Sequence, residues 1–168
     1  MTERPIHVLF VCLGNICRSP LAEGVFMSLV SERGLEAHYT VDSAGTGAWH
    51  VGDVPDLRSV EVARRNGVAL THRARQVQGG DLAKFDHVIA MDRENLADLR
   101  GLARAHAGDA EIELLRHFDS DPGDRQVPDP YYGGPDGFDL VYAMVRRSCA
   151  ALLAHLEERR AGRGGKDD

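Results

Sequence analysis

The stretch Val8–Gly24, VLFVCLGNICRSPLAEG, constrains the fold of this chain more than any other. Ile6 to Val11 is an apolar run interrupted only by His7, short and rich in β-branched residues. Neither side of such a run suits water, so it reads as a strand covered on both faces. The run stops at Cys12. Ser19-Pro20 then opens a segment whose apolar residues Leu21, Val25, Leu29 and Val30 recur at helical spacing, ending near Gly34. A buried strand followed by a tight loop and a helix is a βα unit, the building block of a parallel sheet with helices on both sides.

The rest of the chain repeats the alternation. HYTVDSAG (38–45) reads as a second strand that ends in a glycine-rich loop. Residues 56–66 read as a helix with Val60 and Ala63 on one side and Gly67 as its stop. DHVIAMD (86–92) is a third strand, 93–105 a helix, EIELL (111–115) a fourth strand, and 138–159 a long closing helix. The glycine-rich, charged tail over 161–168 is expected to be without structure, leaving one domain over 1–160. The expected fold is therefore α/β, a single-domain three-layer α/β/α arrangement around a four-stranded parallel sheet with right-handed crossovers. Ligands of such sheets bind at the carboxyl ends of the strands, where Cys12, Gly45 and Met91-Asp92 fall. One long segment, 117–137, has no regular pattern, and a loop of that length in a compact domain is usually functional.

Charge and cysteine usage narrow the function. A net charge of −6 argues against general nucleic-acid binding. No apolar run is long enough to cross a membrane, and IHVLFVC is too short for a signal-peptide core. Three cysteines, an odd number, do not form a secreted disulfide framework, so a reducing cytoplasm and free thiols are expected. The histidines show no metal-ligand spacing in sequence, and no metal or other cofactor is expected.

The loop Cys12-Leu13-Gly14-Asn15-Ile16-Cys17-Arg18-Ser19 is where chemistry is expected. Glycine and asparagine both tolerate left-handed backbone, so the loop can turn successive N–H groups inward as an anion nest. The helix behind it adds its positive dipole end, and Arg18 adds a planar fork that matches two phosphate oxygens. Helix N-termini and nearby cations favour a thiolate, which places a nucleophile on the floor of a phosphate cradle. The nucleotide-binding Gly-Lys-Ser/Thr signature is absent. Attack by Cys12 on phosphorus would expel an alcohol or phenol and leave a phosphocysteine, a step that needs a general acid for the leaving oxygen. Asp129, held between Pro128 and Pro130 and followed by Tyr131 and Tyr132, is the first candidate; Asp119, Asp121, Asp124 and Asp136 compete with it.

With these residues in view, the chain resembles the low-molecular-weight protein tyrosine phosphatases. The segments CLGNICRSP, DSAGTGAWHVG, THRARQV, MDRENL and DPYYGG stand in that family's order and spacing. The resemblance implies a flavodoxin-like sheet and a metal-independent hydrolysis of phosphotyrosine or small aryl phosphates, with inorganic phosphate as product and inhibitor. It implies Cys12 as nucleophile, Arg18 as phosphate ligand and Asp129 as acid, then base. Ser19 would donate a hydrogen bond to the thiolate. Asn15 would hold the loop through Ser19, Ser43 and His72. Leu13, Ile16, Trp49, Tyr131 and Tyr132 would line the substrate cleft, and Cys17 would pair reversibly with Cys12 to protect it from overoxidation. A monomer with at most weak self-association is expected. Two other readings stand beside this one: an arsenate reductase of the same fold using Cys12 and Cys17, and a non-catalytic anion-binding module. Bacterial arginine phosphatases, which resemble this loop, carry threonine where this chain has Ile16, a position whose methyl groups favour an aryl phosphate.

Overall fold

The computed structural model describes residues 4–131, 133–134 and 136–164. Four strands, β1 (Ile6–Cys12), β2 (Tyr39–Gly45), β3 (His87–Ala90) and β4 (Glu111–Leu114), form one all-parallel sheet in the order β2-β1-β3-β4. That is the flavodoxin-like order, in which the chain moves outward from β1 to β2 and then crosses back past β1 to β3. The reversal leaves a crevice at the carboxyl end of β1, and Cys12 is the last residue of that strand.

Alternation along β1 sorts its side chains into two cores, as the pleat requires. Val8, Phe10 and Cys12 face α1 (Arg18–Glu32), α2 (Leu57–Arg65) and the long α5 (Asp136–Gly164). Leu9 and Val11 face a short helix α3 (Asp81–Lys84) and α4 (Arg93–Ala105), packing with Leu82, Phe85, Leu96 and Leu99. Both predicted faces of the α/β/α arrangement are therefore filled. Leu21, Val25, Leu29 and Val30 of α1 are buried as their spacing implies. The buried side of α2 differs from the expected one: Ser59, Val62 and Ala63 point inward and Val60 is only partly covered. Gly67 stops α2 with φ of 78°, the left-handed turn that glycine adopts without strain.

Two elements depart from the sequence reading. α3 is four residues long, too short to leave a period in the sequence. α5 begins at Asp136 and runs to Gly164, so the tail expected to lack structure starts as the helix's last turn, and the domain boundary placed at 160 falls inside that helix. The final residues, 165–168, lie outside the described ones.

The irregular segment after β4 is pinned by a buried arginine. Arg116 donates to the Asp119 carboxylate and to the backbone carbonyls of Asp121 and Gln126. Arg147 of α5 grips the same carboxylate from the other side. Asp119 is thus a structural anchor whose side chain has no exposed surface. Burial alone would raise its pKa, but Arg147, the Asp121 N–H and Arg116 outweigh it and hold the carboxyl at about 2. A depressed folded-state pKa stabilises the fold above the unfolded value of 3.8, and that stabilisation is lost as pH falls through about 2. The difference corresponds to about 2 kcal/mol. Asp119→Asn should therefore lower the denaturation midpoint at neutral pH, with the gap to the native chain closing as pH falls from 3.8 toward 2. Equal gaps at both ends of that range in pH-dependent urea melts would contradict it.

Candidate active site

The loop from Cys12 to Arg18 wraps around the sulfur of Cys12. Asn15 takes φ of 58°, in the left-handed region, which turns its N–H inward to donate to Cys12 Sγ at 3.2 Å. Ser19 Oγ lies 3.0 Å from the same sulfur. That hydroxyl accepts from Asn15 Nδ2 at 2.8 Å, so its single proton is left for Cys12 Sγ or for the Ala44 carbonyl at 3.4 Å. The sulfur is the nearer of the two. Cys12 is 2% exposed and forms the floor.

Asn15 carries the loop's shape, and its amide is saturated. Nδ2 donates to Ser19 Oγ and Ser43 Oγ; Oδ1 accepts from the Arg75 N–H and from His72 Nε2 at 2.8 Å. Because Oδ1 can only accept, His72 Nε2 carries a proton. The other ring nitrogen of His72 sits 3.3 Å from carboxylates of both Glu23 and Asp42. Ser43 Oγ donates its own hydrogen bond to Glu23 at 2.6 Å. All three partners expected for Asn15 are thus in place, and Glu23 and Asp42 extend the brace outward. Glu23, Asp42 and His72 also have ligand atoms within 4.8 Å of one another, a spacing that fits a metal ion and that separate elements hid from the sequence. Arg75 Nε lies 3.1 Å from Asp42 and already balances the carboxylate charge there, which suits a salt-bridged brace better than a dication.

The β2 loop seals the other side. Thr46 N–H donates to the Cys12 carbonyl and Gly47 N–H to the Leu13 carbonyl. A Cβ on Gly45 would lie 2.7 Å from the Leu13 carbonyl oxygen, so only glycine allows this approach.

Arg18 is 3% exposed. One guanidinium nitrogen is anchored by Asp92 Oδ2 at 2.6 Å and the Val127 carbonyl at 3.1 Å. The other lies 3.7 Å from Asp129 Oδ2. Burial works against the charge, but Cys12, Asp92 and Asp129 more than compensate and raise the Arg18 pKa. Asp92 does two jobs: its second oxygen caps α4 by accepting from the Asn95 N–H. Of the competing carboxylates, Asp119 is locked under the loop, Asp121 sits beside it with its N–H on Asp119 Oδ1, Asp124 pairs with the Gln126 N–H, and Asp136 opens α5. Asp129 is the one that reaches the cavity. Its Oδ1 accepts from the Tyr131 N–H at 3.0 Å, which leaves Oδ2 facing Arg18.

Cys12, Leu13, Gly14, Ile16, Cys17, Arg18, Trp49, His50, Asp129 and Tyr131 surround a cavity of about 370 Å³. Every expected cleft residue among the described ones lines it; Tyr132 lies outside the described residues. The sequence placed Asp92 at the ligand-binding end of the sheet without giving it a role, and gave no sign of Glu23, Asp42 and His50. Asp92 carried a signal, as an aspartate at a helix start after a strand, whereas the others show only when distant elements meet. Burial, with Asp56, Cys12 and Asp129 adding to it, pushes the Cys17 thiol up to about 12. Cys149 is fully buried in α5 with its sulfur toward the Ala22 carbonyl.

A buried cysteine beside a buried arginine, at the switch point of a doubly wound sheet, defines a class: α/β domains with a cysteine loop at the carboxyl end of the first strand. Comparison with known proteins narrows it. The family model described as low molecular weight phosphotyrosine protein phosphatase matches residues 7–161, and the chain belongs to that family. A Schizosaccharomyces pombe protein named low molecular weight phosphotyrosine protein phosphatase is 48% identical over 141 residues, covering 83% of this chain and 90% of its own. A Streptomyces coelicolor low molecular weight protein-tyrosine-phosphatase is 46% identical over 159 residues, covering 94% and 97%. Among solved structures, YfkJ from Bacillus subtilis superposes with a TM-score of 0.88 at 42% identity, covering 95% of this chain and 99% of that one. A Drosophila arginine phosphatase superposes at 0.85 with 36% identity, covering 89% and 96%. Among the described residues no helix is long and apolar enough to cross a membrane.

Proposed function

We propose that this chain is a protein tyrosine phosphatase that hydrolyses phosphotyrosine and small aryl phosphates through a phosphocysteine on Cys12, without a metal ion. The observation that carries the reading is the convergence of Cys12 Sγ, the Arg18 fork and Asp129 Oδ2 on one cavity. The thiolate attacks phosphorus and the bond to the phenolic oxygen breaks. Asp129 Oδ2 gives its proton to that oxygen, so a phenol departs. Arg18 and the inward N–H groups take the charge on the equatorial oxygens, the role a metal fills elsewhere. Water then loses a proton to Asp129 and attacks phosphorus. The sulfur–phosphorus bond breaks, inorganic phosphate leaves, and the Ser19 hydroxyl stabilises the returning thiolate.

The depth of the sulfur and the walls of Trp49 and Tyr131 support an aryl ester. A phosphoserine carries its phosphorus on too short a stem and offers no ring to the walls. Loss of a buried ring is worth about 1.5–3 kcal/mol, so phosphoserine peptides should be turned over about 10- to 100-fold more slowly than phosphotyrosine peptides. Ile16 on the cavity wall supports phosphotyrosine over phosphoarginine. Parallel hydrolysis of phosphotyrosyl, phosphoseryl and phosphoarginyl peptides, with chelator present, tests this. Equal rates for the first two, or a preference for the third, would overturn the aryl reading. Cys17 lines the same cavity as Cys12, which supports its place as the thiol that traps an oxidised nucleophile.

A further inference from the structure

The acid and the nucleophile stand on loops far apart in sequence, and a half-exposed arginine bridges them. Asp56, at the start of α2, donates its backbone N–H to the Ile16 carbonyl of the phosphate loop at 2.8 Å. Its carboxylate takes both Nε and one terminal nitrogen of Arg58, each at 3.0 Å. The other terminal nitrogen of Arg58 donates to the Tyr131 carbonyl at 3.1 Å. The guanidinium also lies 5.3 Å from the Tyr131 ring centre and 4.6 Å from that of Phe138. Tyr131 in turn donates its N–H to Asp129 Oδ1. Each link is a hydrogen bond or a stacked contact, and together they run from the phosphate loop to the carboxyl group of the acid.

We propose that Arg58 is a positioning residue for Asp129: clamped by Asp56 to the phosphate loop, it holds the Tyr131 backbone so that Asp129 Oδ2 stands over the leaving oxygen. This rests on the reading of Asp129 as the general acid. A planar fork suits the task, because it lies over two rings while three N–H groups fix two partners. Lysine would keep the charge and lose the geometry.

A mispositioned acid harms only those substrates that need a proton. The test is kcat/KM for a series of aryl phosphates, from strongly acidic nitrophenols to a phenol of tyrosine-like pKa near 10. Arg58→Ala should lose about tenfold with the least acidic phenol, a fraction of the 10²–10⁴ a general acid supplies. With the most acidic phenol it should stay within about twofold of the native chain, and Arg58→Lys should fall between the two. Added to Asp129→Asn, Arg58→Ala should cost nothing further. A loss uniform across the series, no loss at all, or full additivity with Asp129→Asn would overturn the proposal. The parent reading fails differently. It falls if the native chain hydrolyses none of the esters, or if Asp129→Asn itself shows no leaving-group dependence. A steep Asp129→Asn response beside a flat Arg58→Ala response sinks the clamp alone.

Discussion

Cys12→Ser should lose phosphotyrosine hydrolysis by about 10⁴- to 10⁶-fold, the scale on which removing a nucleophile is felt in enzymes that work through a covalent intermediate. A hydroxyl is a far weaker nucleophile than a thiolate and a far worse leaving group in the second step. It would also stay protonated in a site built to hold an anion. The framework around it remains: the Asn15 side-chain amide still donates to the Ser19 hydroxyl, and the Arg18 fork keeps Asp92 and Val127. Phosphate binding, measured by calorimetry, should therefore survive while turnover, measured with chelator present, does not. More than about one per cent residual activity would mean that sulfur is not the attacking atom.

Arg18→Lys should be the next most damaging change, costing about 10²–10³ in kcat, the range found when a preorganised donor to a transition-state oxygen is removed. The conservative label misleads at this position. Arg18 uses one nitrogen to hold Asp92 and Val127 and keeps the other for the cavity. A lysine has one ammonium and must choose. If it pairs with Asp92, the phosphate loses its partner; if it reaches the phosphate, a largely covered carboxylate is left without its cation. Steady-state kinetics on Arg18→Lys check this, with thermal melting alongside. Near-native kcat would show that charge alone suffices.

The three residues proposed for catalysis were legible because each carried its context in the adjoining sequence. Cys12 ended an apolar strand, Arg18 opened a helix, and Asp129 stood between two prolines. Asn15 and its partners became legible only through resemblance, since Ser43 and His72 lie in other segments. Arg58 and Glu23 gave no sign, because an arginine or glutamate on an amphipathic helix reads as a solvated face until a distant loop is seen to lean on it. The inward face of α2 was misjudged for a related reason: Ser59 is buried to donate to the Cys17 carbonyl, a polar task that hydrophobic periodicity does not register. The last turn of α5 was missed because glycines suggest an ending, whereas Arg159 and Arg160 tie that end to Glu111 and Glu157.

Trp49 stands at the mouth of the cavity, three-quarters exposed, its ring laid against Gly47. It is also the chain's single tryptophan. Ultraviolet emission excited at the indole band therefore comes from one residue, at the rim where a ligand enters. The protein carries its own optical reporter, and occupancy of the cleft can be followed in unlabelled material, in the native chain and in variants that no longer turn over.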